Sequence, residues 1–119
     1  MNELNLSNFQ SHDNLFYGLD LAKKTSQLAI LAPSGEELAN FPFPSSKENF
    51  LILANFLRPA DSIALEVSTP ANAVMSIFKH HSAAEAVLSN PLFTKSISKA
   101  VVHSDKEDAR KLADLKRCN

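Results

Sequence analysis

The stretch LFYGLDLAKKTSQLAILAPSGEELANFPF, Leu15 to Phe43, decides the fold. In its first six residues Phe16, Gly18 and Asp20 alternate with Leu15, Tyr17 and Leu19, the period-two pattern of a strand with two distinct faces. The polar turn AKKT separates it from a second apolar run, SQLAILA. PSGEE follows, with Gly35 free to take a positive φ, so the chain turns back through a hairpin into ELANFPF. Three antiparallel strands therefore open the domain.

Downstream the period changes. Ser45 and Glu48 have capping-box spacing, and Phe50, Leu51, Leu53, Ala54 and Leu57 make an apolar stripe, so 45–57 reads as a helix that Pro59 ends. SIALEV is a short buried strand, and Pro70 opens a helix reaching about His81. AEAVLS is a further strand, NPLFTKSISKA a helix with Pro91 in its first turn, and Asp105 to about Lys116 a last helix. The order predicts an α/β domain: a mixed sheet, three antiparallel strands followed by parallel ones, with helices on both faces. Residues 1–13 are polar and aperiodic and read as a flexible leader, leaving 14–119 as one domain. Phe50, Phe56 and Phe78 fall on core stripes.

Composition narrows the classes. The chain has 119 residues, 45% hydrophobic and 21% charged, which suits one soluble domain with one modest core. A formal net charge of -1 gives no overall positive field of the kind that drives non-specific nucleic-acid binding, so any such contact must come from a local basic face. The single cysteine, Cys118, cannot form an internal disulfide. The start has no apolar signal core, and runs such as FLILANFL are too short to span a bilayer. These features predict a cytoplasmic protein with no membrane association.

The acids carry the chemistry. Asp20 ends the first strand, Glu66 ends the fourth, and Asp105 and Asp108 stand three residues apart at the start of the last helix. Leu112 and Leu115 extend the same helix side, so the side that packs on the sheet also bears both acids. With the first and fourth strands as neighbours, all four carboxylates converge at one end of the sheet. Like charges so placed repel, and convergence calls for a cation. An all-oxygen set without cysteine or paired histidines selects Mg²⁺ or Mn²⁺ over zinc. Two such ions about 4 Å apart serve phosphodiester chemistry.

A second reading stands beside this one. Acids in a first turn meet the positive end of the helix dipole, Ser104 with Glu107 is itself a capping box, and Asp20 alone suits a turn. Glu66, closing an apolar strand, needs a partner on either reading. Lys23, Lys24 and Arg110 flank the acids and are candidate phosphate contacts, although solvated surface charge is the commoner role for such residues. His80 and His81 suit the negative end of a helix.

YGLDLAKKTSQLAILAPSGEE, IALEVST and VLSNPLFTKSISKAVVHSDKEDARKLADL together resemble the N-terminal, RuvC-like domain of the DEDD-type insertion-sequence transposases, relatives of the Piv DNA invertase. The likeness covers about residues 15–117 in order and spacing, and is most specific from Asn90-Pro91 to the match at Asp105–Ala113. It implies a ribonuclease H-like fold, with Asp20, Glu66, Asp105 and Asp108 as catalytic Mg²⁺ (or Mn²⁺) ligands. It also implies DNA strand cleavage and exchange, a structured non-coding guide RNA, and a homo-oligomer in the full-length protein. Two departures stand out. Val67-Ser68-Thr69-Pro70-Ala71 replaces the family's Thr-Gly-aromatic run after the glutamate. The family's C-terminal domain, with its nucleophilic serine, has no counterpart before Asn119, so the chain is expected to be inactive in transposition by itself.

Two alternatives belong to other classes. A truncated remnant would act as a non-catalytic binding or oligomerisation module. An actin-like phosphotransferase fragment would want a glycine-rich phosphate loop, which LAKKTS lacks.

Overall fold

Short turns impose the first half of the sheet. Gly35 takes φ +98°, its amide donates to Ala32 O at 2.9 Å, and the Ala32 amide donates to Glu36 O at 2.8 Å, closing the hairpin tightly enough to enforce antiparallel pairing. The computed structural model describes residues 4–9, 14–66, 69–89 and 105–118. Its elements are β1 (Phe16–Asp20), β2 (Thr25–Leu31), β3 (Glu37–Pro44), α1 (Lys47–Phe56), β4 (Ser62–Glu66), α2 (Thr69–His81), β5 (Glu85–Ser89) and α3 (Asp105–Arg117). The helix expected to open at Pro91 lies outside the described residues, as does Ser104 of the second capping box.

The strands form one sheet in the order β3-β2-β1-β4-β5. β2 pairs antiparallel with β1 and β3, while β4 pairs parallel with β1 and β5. The switch to parallel pairing follows from connection length, because α1 supplies the crossover that a tight hairpin cannot. β3 is an edge strand among the described residues, where Pro42 and Pro44 are tolerated because one row of amides has no strand to meet.

The faces differ. On one, Tyr17, Leu19, Leu28, Ile30, Ile63 and Leu65 are fully buried in a cluster that also holds Leu53 of α1 and Phe78 of α2. On the other, α3 packs across β1, β2, β3 and β4 over a floor of small side chains. Gly18, paired with Ala29 on β2 and Ala64 on β4, forms the middle of that floor. A Cβ at Gly18 would overlap the Ala109 carbonyl oxygen and stand 2.5 Å from Ala113 N, so glycine is required for α3 to lie this close.

Two features depart from the sequence reading, and a third lies outside it. The flexible leader is anchored in its described part: Leu4 and Leu6 are buried, and the Leu4 amide donates to Asn49 Oδ1 at 2.8 Å. Two leucines two residues apart carry no detectable period, yet bury apolar surface once α1 offers a groove. The N-cap of α1 is Ser46, whose hydroxyl accepts from the Asn49 amide at 3.2 Å, whereas Ser45 turns towards the β1–β2 connection. Asp61 is buried, with its carboxylate accepting from the Leu15 amide at 2.9 Å and from Arg58 N at 2.9 Å and Nε at 3.2 Å. That carboxylate ties the entrance of β1 to the entrance of β4, so the two strands start, and therefore end, level with each other.

Candidate functional site

Register places the strand acids. Leu19 pairs with Leu65 in the parallel β1–β4 ladder, so the next residues, Asp20 and Glu66, end adjacent strands side by side and on the same face. Both are half-buried. The residues level with them are Gln27 on β2, opposite Asp20, and Ser89 on β5, opposite Glu66. The last row of this face thus reads Gln27, Asp20, Glu66, Ser89, a polar line capping the row of Ala29, Gly18 and Ala64.

α3 brings its first turn to the same end. Its C-terminal half meets the opposite end of the sheet, where Lys116 Nζ is 2.8 Å from Glu85 Oε1 and Arg117 Nη1 donates to Pro33 O at 3.5 Å. Its N-terminal turn is held by Asn40, whose Nδ2 donates to Lys106 O at 2.8 Å while its Oδ1 accepts from Gln27 Nε2 at 2.9 Å. A chain of two hydrogen bonds therefore runs from the strand partner of Asp20 to the opening of the helix. Ala109 lies over Gly18. The Ala113 amide lies over Gly18 as well, so the first turn of α3 projects towards the end of the sheet where Asp20 stands. Asp108 is half-buried in the same turn. The Asp105 side chain lies outside the described residues. Among the described residues no three His, Cys, Asp or Glu side chains group closely enough to hold a metal ion.

The loop after Asp20 is pinned. The Ser45 hydroxyl donates to Ala22 O at 2.7 Å, which leaves Ser26 to donate across the 2.7 Å Ser26–Ser45 contact, and the Ala22 amide donates to Ser26 Oγ at 3.4 Å. The Ser45 amide closes the loop on Lys24 O at 2.7 Å. Lys23 and Lys24 are exposed on this connection, immediately beyond Asp20. Lys23 also borders an open groove of about 950 Å³ floored by Leu21, Phe50, Val74 and Ile77 and edged by Lys47. Arg110 sits apart from them. It faces β3, with Nε 3.6 Å from Glu37 Oε1. His80 closes α2 with Nδ1 2.8 Å from Ser76 O, and Cys118 is exposed at the end of α3.

Gln27, Asn40 and Gly18 escaped the sequence reading. Nothing in one chain marks polar strand residues such as Gln27 and Asn40 as helix anchors. Gly18 did carry a signal, since a glycine inside a strand commonly marks a close backbone approach.

The strand order, the level strand ends and the helix laid antiparallel across them define the ribonuclease H-like class of fold. T. thermophilus RuvC, solved in complex with a Holliday junction substrate, has a similar structure: TM-score 0.58 at 13% identity, covering 83% of this chain and 89% of that one. A family model described as transposase, of the DEDD IS110 type, matches residues 17–119, and the chain belongs to that family. No curated protein matches the chain. No helix among the described residues is long and apolar enough to cross a membrane.

Proposed function

We propose that this domain is the metal-holding catalytic part of a DNA transposase, acting on phosphodiester bonds at the end of the sheet where β1 and β4 finish. The observation that carries the reading is the adjacency of Asp20 and Glu66 on one face, with α3 opening beside them. Such a pair of carboxylates at the ends of parallel strands is costly without a counter-cation. The donor chemistry fits a hard divalent ion: carboxylates of Asp20, Glu66, Asp105 and Asp108, with neither cysteine nor histidine in the row. Mg²⁺ or Mn²⁺ bound there would supply activation of a water or hydroxyl nucleophile and stabilisation of the leaving oxygen.

The chain's own residues do the rest. Asp20 and Glu66 would hold the ion from the sheet, and Asp105 and Asp108 from the helix. Lys23 and Lys24, on the pinned loop beyond Asp20, meet the phosphates of the incoming strand; each such contact adds a salt-dependent increment of affinity. Arg110, paired with Glu37, contributes to the phosphate path only by exchanging that exposed partner. DNA is the substrate. The family resemblance adds a structured guide RNA, self-association and a serine nucleophile on a further domain, so the share assigned to this domain is the carboxylate centre.

The test is titration calorimetry with Mg²⁺ and Mn²⁺ on the wild type, Asp20→Asn and Glu66→Gln. The reading expects saturable binding to the wild type and at least a tenfold loss in each variant. Binding that survives both substitutions would show that the ion sits elsewhere.

A further inference from the structure

On the face of the sheet away from α3, an open groove of about 950 Å³ lies between α1, α2 and the connection that follows β1. Its floor is apolar, made by Leu21, Phe50, Val74 and Ile77, and its rim carries two exposed cations, Lys23 and Lys47. No carboxylate is among its described lining residues. The wall supplied by the β1–β2 connection is fixed in advance, because the Ser45 hydroxyl donates to Ala22 O at 2.7 Å. Lys47 stands against local preference. It is the first residue of α1, directly after the cap Ser46, at the positive end of the helix dipole where a cation is disfavoured. A residue that breaks a local rule in this way commonly marks a functional position.

We propose that this groove docks an amphipathic helix of a partner protein. The apolar stripe of that helix lies on the floor, and acidic residues beside the stripe meet Lys23 and Lys47. The inference is independent of the metal-binding reading above. Lys23 is shared with the strand path proposed there, so a docked helix and a DNA strand compete for it, whereas Lys47 belongs to the groove alone.

The chemistry of the groove selects this occupant. Two helices and a connection form its described walls, and none of them offers a free strand edge. An extended segment would therefore bury backbone amides and carbonyls without partners, while a helix satisfies its own. The aliphatic floor suits the leucine-type stripe of such a helix, and the cations at the rim, with no acid among them, suit carboxylates flanking it. A nucleic-acid strand fits less well. It brings a charge with every nucleotide against two cations, and its bases would find no aromatic platform, since Phe50 is only 8% exposed. A second copy of this chain also fits less well. Among the described residues α1 and α2 build the groove itself, and α3 is packed on the opposite face of the sheet.

The experiment titrates the full chain into two fluorescent helical peptides of about 14 residues, or four turns, and follows anisotropy. Both carry leucines at i, i+3, i+4 and i+7; glutamates flank the stripe in one and lysines in the other. The proteins are the wild type, Lys47→Glu, Ala73→Trp and Lys106→Glu, with circular dichroism reporting folding. Ala73 is an exposed lining residue whose replacement fills the groove, and Lys106 is an exposed lysine on α3 that controls for charge alone. The proposal predicts saturable binding of the glutamate peptide, at least about tenfold tighter than that of the lysine peptide. Lys47→Glu should reverse that preference, Ala73→Trp should abolish binding of both peptides, and Lys106→Glu should change neither. Should Ala73→Trp fail to fold, the reversal in Lys47→Glu decides the matter. Equal binding of the two peptides, no saturable binding of the acidic one, or equal losses in Lys47→Glu and Lys106→Glu overturns the proposal. So does a thymidine oligonucleotide that binds in place of the acidic peptide and is lost in Lys47→Glu, which would make the groove a strand path. Self-association of the wild type in light scattering that Ala73→Trp abolishes would assign the groove to a second copy and equally overturn it.

Discussion

On the face of the sheet covered by α1 and α2, the strands present Tyr17, Leu19, Leu28, Ile30, Ile63 and Leu65, all fully buried. On the face covered by α3, the same strands present Gly18, Ala29 and Ala64 and then Gln27, Asp20 and Glu66. Both faces are closed by helices, but by different means. The first is closed by bulk, each large side chain removing apolar area from water. The second is closed by proximity, with helix backbone resting on strand backbone so that the polar row beyond it is held at short range. Apolar bulk is concentrated on one side of the sheet, and the acid row of the proposed site lies on the other.

Substitutions that respect this division should separate the two. The largest effect is expected from Phe78→Ala on the bulky face, which should cost about 3–5 kcal/mol of unfolding free energy in denaturant melts. Asp61→Ala is next, at about 2–3 kcal/mol, because three donors lose their acceptor inside the protein. Asn40→Ala should cost about 1 kcal/mol, and hydrogen exchange should show faster opening of the first turn of α3 alone. Asp20→Asn should change stability by no more than about 0.5 kcal/mol without metal. A large loss there would mean that the acid row is structural and the division false.

The smallest effect at neutral pH concerns Tyr17, the sole tyrosine. Burial, reinforced by the neighbouring Asp61 carboxylate, pushes its phenol well above the ordinary value. A raised folded-state pKa means that the contribution to stability is intact below the unfolded value of about 10 and declines as pH rises past it. Alkaline absorbance titration should therefore show phenolate appearing together with unfolding. Ionisation near pH 10 in a protein that stays folded would place Tyr17 in a wetter site than the bulky face allows.

How much of this was legible follows the same division. The strands, the hairpin at Gly35 and the helices from Lys47, Thr69 and Asp105 announce themselves through period and turn chemistry, which act locally. The placing of Asp20 and Glu66 at adjacent strand ends was also readable, because parallel neighbours of equal length leave little choice of register. What escaped depends on contacts between distant segments. Leu4 and Leu6 join the core beside α1, and the role of Asp61 depends on Leu15, a distant segment, closing on it along with Arg58. Ser45 and Ser46 are adjacent and chemically equivalent, and only the path of the β1–β2 loop assigns the cap to Ser46. Gln27 and Asn40 needed α3 above them to become anchors.

The central claim is that Asp20 and Glu66, with the opening turn of α3, clasp a divalent ion. Crystals grown in Mn²⁺ and measured at a wavelength where manganese scatters anomalously address it directly. The account predicts an anomalous peak within inner-sphere distance of both Asp20 and Glu66 carboxylates and of a carboxylate from α3. A map with manganese bound at other residues, or with the two strand acids bridged only by protein donors, would contradict it.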